Sequence, residues 1–424
     1  MTRFRVLKTL LVTIAIVCGL GLLAALAIRI YGAHRLAEVS KRYEREVGPL
    51  SLEGFVRPRI AVEKNAVTWQ RPGALAAVFF PRDMDVVGRL TTKRFTEWTA
   101  EDTAQLEAIL ERNTPSLTLL DRSRGMREAN WEIPYEQGTT AKIPNLMAAI
   151  NTAKMLNARG RLALGRGDRE TALASGETLG ALARSHEAES SLIMLLIGLA
   201  IEKLQLALVN DFVSAPGATP AELDRLEASL CDADLKGPVR SAIRGAAAAN
   251  VRDVHAEAIL DAVHNPFPLG LSSVLADLVA AEMIEASRDA EKDVFEPVKA
   301  PLVEAGSENS GGGWRARVRA VIGQNLATAS ARSTAIASAR ELAHIAIALR
   351  RESLASGRYP ENLPAIAGIP AIDPLTGGPR AYVVKGDGSA ALRSTTTAEI
   401  YGSISPGGKV FYDSLFTWML PARR

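Results

Sequence analysis

Cysteine is nearly absent from this chain: 424 residues include only Cys18 and Cys231, and their placement excludes an internal disulfide. Cys18 lies in an apolar N-terminal run and Cys231 far beyond it, and neither has the sequence neighbours of a metal site or a redox pair. The fold must rest on its core, which a chain of this length can supply. Aromatic residues are also scarce, at 5%, while Ala and Leu dominate a hydrophobic fraction of 47%. That balance favours helix packed on helix over a β-rich core, whose strands draw on Val, Ile and aromatics. An excess of one charge is missing too: a net charge of +3 is too small to suggest a nucleic-acid binder, which normally shows a concentrated basic face.

Catalytic motifs are missing as well. There is no G-x-S-x-G elbow, and no Ser or Cys has a local context that would activate it. Gly402 is followed by four residues and Gly407, but Gly408 stands where a phosphate-binding loop needs Lys, and no helix carrying a metal-binding Ser or Thr is expected after it. SENSGGGW, Ser307 to Trp314, reads as a linker.

The clearest feature present is the N-terminus. Arg3, Arg5 and Lys8 precede TLLVTIAIVCGLGLLAALAI, Thr9 to Ile28, which carries no charge. Roughly 20 helical residues match a hydrocarbon core of ~30 Å. The preceding bases favour a cytoplasmic N-terminus with the bulk of the chain exported, although Arg29, Arg35, Lys41, Arg42 and Arg45 follow the run. The alternative is a cleaved signal peptide with Ala25-Leu26-Ala27 as its cleavage site; the length of the run favours a retained anchor. The amphipathic HRLAEVSKRYEREV, His34 to Val47, suits a helix leaving the bilayer.

The chain then divides into an anchor and juxtamembrane helix (1–47), an irregular or extended segment (48–98), a helical domain (99–304), a linker (305–313), a long helix (314–356) and a C-terminal turn and β-hairpin unit (357–424). Helical signals start at Thr99, where Thr99 and Asp102 form a capping box, and recur at Thr219-Pro220. Residues 158–186 read as an αα-hairpin resembling one tetratricopeptide-type pair, without a second copy at that period. LIMLLIGLAI, Leu192 to Ile201, is too short for a second span and is expected to be the central core helix. The expected fold class is mainly α: a transmembrane helix, an antiparallel bundle and a small C-terminal β unit.

The five histidines are His34, His186, His255, His264 and His344. Asp261 precedes His264, and Glu341 precedes His344, by three residues, the spacing with which helical bundles hold paired metals. The helical wheel opposes a metal reading. Ala335, Ala339, Leu342, Ala346 and Leu349 define the core stripe, and Glu341 and His344 point away from it. On the earlier helix, Val251, Val254, Ala258 and Ala262 mark the core, with Asp253, Glu257 and Asp261 as an acidic stripe and His264 on the polar side. Whether Asp261, His264, Glu341 and His344 converge, with or without His255, is a question for the tertiary structure.

Turn residues crowd the stretch after the long helix. GRYP (Gly357 to Pro360) stops the helix, Asp373-Pro374 and Gly377-Gly378 make turns, and Asp387-Gly388 between AYVV and AALRS marks a hairpin. With Leu363, Pro379 and Tyr382, this pattern over residues 330–405 resembles the soluble head of type II secretion major pseudopilins. The whole chain is similar to uncharacterised bacterial proteins that join an anchor, a helical middle and such a unit. The pseudopilin processing motif is missing, and the calcium-binding acidic loop of that family has no counterpart in STTTAEIYGSISPGG.

These readings lead to a non-catalytic protein of the bacterial inner membrane, its bulk periplasmic, acting through an envelope protein partner in a secretion- or pilus-related role. No catalytic residue, cofactor or nucleic-acid contact is expected. The aromatic cluster Phe411, Tyr412, Leu415, Phe416 and Trp418 either closes the core or docks a partner, with core closure preferred. An envelope enzyme, hydrolytic or metal-dependent, with a site assembled between helices is the alternative. A helical protein binding a small ligand in a groove is the second alternative.

Overall fold

A computed structural model of the protein describes residues 2–232, 234–264, 271–292, 314–363, 372–405 and 408–422. The expected linker at 305–313 lies outside them, as do the side chains of Asp261 and His264. Among the described residues the helices are α1 (Thr2–Glu46), α2 (Val67–Ala76), α3 (Pro81–Leu90), α4 (Ala100–Arg112), α5 (Thr114–Asp121), α6 (Leu146–Gly165), α7 (Arg169–Glu187) and α8 (Leu192–Ser214). They continue with α9 (Pro220–Ser229), α10 (Lys236–His264), α11 (Leu271–Lys292), α12 (Trp314–Ser356), α13 (Ala398–Ile404) and α14 (Gly408–Phe416). Strands β1 (Ala381–Val384), β2 (Ala390–Arg393) and β3 (Thr417–Leu420) complete the mainly α fold.

Helix α1 is unbroken, and its two halves meet different surroundings. The apolar half stays exposed, with Leu20 and Leu23 more than 60% accessible. The second half docks on α11: Val39 and Tyr43 are buried, the Tyr43 hydroxyl donates to Glu291 at 2.6 Å, and Arg35 and Arg42 both reach Glu285. Helix α8 is also apolar enough to cross a membrane, but two thirds of its apolar window is buried, as a core helix requires.

Around α8 the bundle is assembled from well-signalled parts. Thr99 and Asp102 close the capping box of α4, and Thr219 and Glu222 close that of α9 behind Pro220. Asp168 caps α7 by accepting from the Thr171 amide, while Gly167, at φ +79°, turns the chain between α6 and α7. Close approach follows from small residues: a Cβ on Gly180 would stand 2.1 Å from the Ser229 carbonyl oxygen. Ala335, Ala339, Leu342, Ala346 and Leu349 on α12 are fully buried against this bundle.

Residues 48–98, expected to be irregular or extended, contain α2 and α3 instead. Tertiary packing overrides the Pro and Gly signals there. Gly73 lets α2 press on α5, where a Cβ would meet Leu120 Cγ at 2.7 Å, and the Gly73 carbonyl accepts from Ser116 Oγ. Pro81 occupies the first turn of α3, where its missing N–H costs nothing.

The C-terminal unit follows its turn signals closely. Gly357 ends α12 at φ +85°, and the buried Tyr359 hydroxyl donates back to the Pro421 carbonyl. The hairpin forms with Gly388 at φ +79°, but a third strand joins it: Leu392 of β2 pairs with Tyr382 on one side and Trp418 on the other. Leu415, Phe416 and Trp418 are fully buried, with Phe411 and Tyr412 partly so, which closes the core against α8 and α12. A helix does follow Gly407, contrary to expectation. Gly402, the first glycine of the compared pattern, lies inside α13 with the Lys409 side chain against it rather than in a turn before the helix.

Candidate binding cleft around Trp131

Residues 129–133 have no regular secondary structure, yet Ala129, Trp131 and Ile133 are buried. A buried irregular backbone must find partners for each polar group, and this one does so through distant side chains. Arg57 donates to the Ala129 carbonyl at 2.7 Å. Asn65 both accepts from the Asn130 amide and donates to its carbonyl, each at 3.1 Å. The Trp131 amide donates to Glu189 at 3.0 Å, its indole N–H to the Ser185 carbonyl at 3.1 Å, and its carbonyl accepts from Arg71 at 2.7 Å. The next residue, Glu132, sits at φ 53°, the sole non-glycine in the left-handed region among the described residues. Such strain persists where surrounding contacts over-determine the backbone, and it concentrates at functional sites. Here it holds one indole in place.

Behind the indole lies His186, fully buried, with ring centroids 4.8 Å apart. Its Nδ1 sits 2.8 Å from the Leu182 carbonyl and so carries the proton. Burial lowers its pKa to about 4, and Nε2 has no hydrogen-bond partner. Glu189 anchors the same wall by also accepting from the Tyr135 hydroxyl at 2.7 Å.

In front of the indole a cleft of about 780 Å³ opens between α2, the 131–145 segment and the first turn of α6. Its volume falls in the range of small-molecule sites. Trp131, Ala149 and Leu182 form an apolar interior, and Arg71 stands 5.6 Å over the indole ring. Gln70 is fully buried in the wall, with Oε1 unpartnered and Nε2 only 3.5 Å from Ser123 Oγ. At the mouth stand Lys142, Glu132 and Asn145, which caps α6 by accepting from the Ala148 amide.

A second cluster is fully internal. Arg340 on α12 donates to both oxygens of Glu202 on α8, at 2.5 and 2.6 Å, to Glu187 at 3.2 Å and to the Asp232 carbonyl. Glu187, Glu202 and Cys231 bring potential ligand atoms within 4.8 Å of one another, so Cys231 does have the neighbours that its sequence context did not suggest. The helices α7 and α8 supply those carboxylates from positions distant from Cys231 in sequence. The arrangement reads as an ionic keystone. The guanidinium already neutralises Glu202, and burial together with the nearby carboxylates pushes the Cys231 thiol well up, toward its protonated form. Burial and repulsion from Glu202 likewise push Glu187 well above the usual carboxylate range.

Among the described residues, the candidates His255, His344 and Glu341 bind separate partners. His255 meets Asp277 at 2.9 Å, and His344 meets Glu227 at 3.3 Å. Glu341 does not face solvent as the helical wheel implied: it is buried and ion-paired with Arg380 of the C-terminal unit. The wheel treated α12 as a helix with one covered face, whereas the β unit covers a second. Burial raises the Glu341 pKa to about 7 against the opposing pull of Arg380.

Trp131, Gln70 and Glu189 carry no motif. The available hint was Trp131 and Tyr135 beside Pro134, two aromatics in a chain that has few. The chain matches no protein-family model, no curated protein and no solved structure. The resemblance of residues 330–405 to pseudopilin heads therefore rests on their sequence alone.

Proposed function

We propose that the protein is a membrane-anchored, non-catalytic binding protein of the bacterial cell envelope that holds a small ligand in the Trp131 cleft. The observation that carries this reading is the preorganised wall: a buried indole tied at its amide, carbonyl and ring N–H, beside a strained Glu132. Preorganisation of this kind lowers the ordering cost of binding. The aromatic cluster near the C-terminus is engaged in core packing, which withdraws it as a protein-docking surface. His255, His344 and Glu341 each engage a separate partner rather than one another, an arrangement that favours binding over catalysis.

Two features support a retained anchor with an exported body. Helix α1 passes through Ala25–Ala27 without a break and continues into contact with α11. Arg35 and Arg42, which follow the apolar run, are paired with Glu285, and this fastens the emerging end of α1 to the body of the protein.

The test is native mass spectrometry of protein extracted from alkali-washed membranes in mild detergent. The expected result is a full-length chain carrying a small-molecule adduct that disappears in Ala148→Phe, whose ring fills the cleft. If both proteins show only the mass of their own ligand-free chain, the binding reading is overturned, and recovery of a chain lacking its first 27 or so residues overturns the anchor.

A further inference from the structure

We infer that a second cavity, where the chain leaves α1 for the body, binds a phosphoryl group through Arg57, Arg244 and the paired hydroxyls of Ser190 and Ser241. It shares no lining residue with the Trp131 cleft and stands independently of it. Its volume is about 330 Å³, within the range of small-molecule sites. Three stretches of chain converge on it. Ser51, Phe55 and Arg57 come from the segment after α1, Ser190 from the link between α7 and α8, and Ser241 and Arg244 from one face of α10, three residues apart. The Arg244 guanidinium reaches across to the end of α1. A Cβ on Gly48 would stand 3.0 Å from its Nη1, and Gly48, at φ +143°, keeps that space open.

Two cations line this cavity and no carboxylate does. The acids within 4 Å of them are Glu189, 3.8 Å from Arg57, and Glu291, 3.9 Å from Arg244, both beyond hydrogen-bond length. Each is committed elsewhere. Glu189 accepts from the Trp131 amide and the Tyr135 hydroxyl, while Glu291 accepts from Tyr43 and is pushed towards its neutral form by burial. Glu53 takes the Ser51 hydroxyl and is not a lining residue. Arg57 spends one N–H on the Ala129 carbonyl and Arg244 one on the Arg240 carbonyl, so most of each five-donor fork has no acceptor among the described residues. The hydroxyls add a donor by simple counting. Ser190 Oγ and Ser241 Oγ lie 2.7 Å apart, and their mutual bond uses one of two protons. Whichever hydroxyl donates, the other keeps a proton for a ligand, in a wall where Ser190 is only 8% exposed. Donors from three stretches suit a tetrahedral group with several acceptor oxygens, and guanidinium forks match phosphate oxygens in pairs. A planar carboxylate would engage one fork and leave the rest unmet.

The test is calorimetric titration of the full chain, in non-ionic detergent, with inorganic phosphate, acetate and dihexanoyl phosphatidic acid, a water-soluble lipid phosphomonoester. Phosphate should bind, and acetate should bind about ten-fold more weakly or worse. Arg244→Gln and Arg57→Gln should each weaken phosphate about ten-fold. Arg244→Lys, which keeps the charge and loses the fork, should fall between wild type and Arg244→Gln. Melting curves without ligand establish that each variant is folded, and the wild-type titration depends on none of them. Phosphate bound as tightly as the phosphatidic acid identifies a free phosphate compound as the source. Tighter binding of the lipid, in competition with phosphate, identifies a headgroup; either result upholds the phosphoryl assignment. Failure of both phosphate compounds to bind, equal binding of acetate, or unchanged affinity in the folded Arg57→Gln and Arg244→Gln variants overturns it. None of these outcomes alters the adduct expected in the Trp131 cleft.

Discussion

The C-terminal unit and the Trp131 cleft are built by opposite means. In the C-terminal unit, conformation is written locally: Gly357, Gly377 and Gly388 all take positive φ, and Asp373 accepts from the Leu375 amide two residues on. Around Trp131, the polar atoms find their partners far along the chain, with Glu189 58 residues away and Asn65 65 residues from Asn130. Conspicuous turn residues therefore mark backbone geometry, while the better candidate for function lies in a stretch with hardly any local signal. The same contrast holds for charge. Glu341–Arg380 joins the small unit to α12, whereas Arg340, one residue earlier, fastens α12 to α7 and α8.

The largest effect should come from removing the long-range keystone. Arg340→Ala leaves Glu202 buried without its counter-charge and should cost about 3–5 kcal/mol, read as a large fall in melting temperature or a failure to fold. Arg340→Met together with Glu202→Leu and Glu187→Gln should recover much of that loss. If the single variant melts like the wild type, the keystone reading fails.

Glu189→Ala is the next largest and separates the two regions. It strips partners from the Trp131 amide and the Tyr135 hydroxyl, which should cost about 2–3 kcal/mol. Hydrogen exchange should rise across 129–135 and stay unchanged in β1–β3. Equal loosening of both regions would erase the distinction drawn between them.

The pH response should divide along the same line. His186 has a folded pKa of about 4, below the unfolded value near 6.5. The unfolded chain therefore binds the extra proton, and stability is lost as pH falls from about 6.5 towards 4. Glu341 has a folded pKa of about 7, above its unfolded value near 4.5. Here the native chain holds the extra proton, and stability falls as pH rises from about 4.5 to 7. The two slopes, each on the order of 1–3 kcal/mol in total, oppose each other between about 4.5 and 6.5. In Glu341→Gln the melting temperature should climb steadily over that window, and in His186→Gln it should decline. A flat profile in both variants would show that neither group titrates as its surroundings imply.

The smallest effect is the most local. Gly357→Ala forces a side chain into φ +85° and should cost about 1–2 kcal/mol, seen as fraying at the end of α12 in hydrogen exchange, with the Trp131 cleft undisturbed.

Much of the fold was legible because its signals are short-range. The capping boxes at Thr99 and Thr219, the Gly167-Asp168 turn, the apolar stripe of α12 and the helix stop at Gly357 depend on residues within a few positions of one another. The sequence by itself therefore determined the helical class, the N-terminal apolar helix and the turns of the C-terminal unit. Tertiary structure alone decided that Pro72 sits within a helix, that β3 joins the sheet, that Glu341 is buried and that Cys231 lies beside Glu187 and Glu202. It also decided the cleft. The physical reason is common to all of these: each depends on which surfaces desolvate one another across long separations in the chain, and neither propensity nor periodicity carries that information.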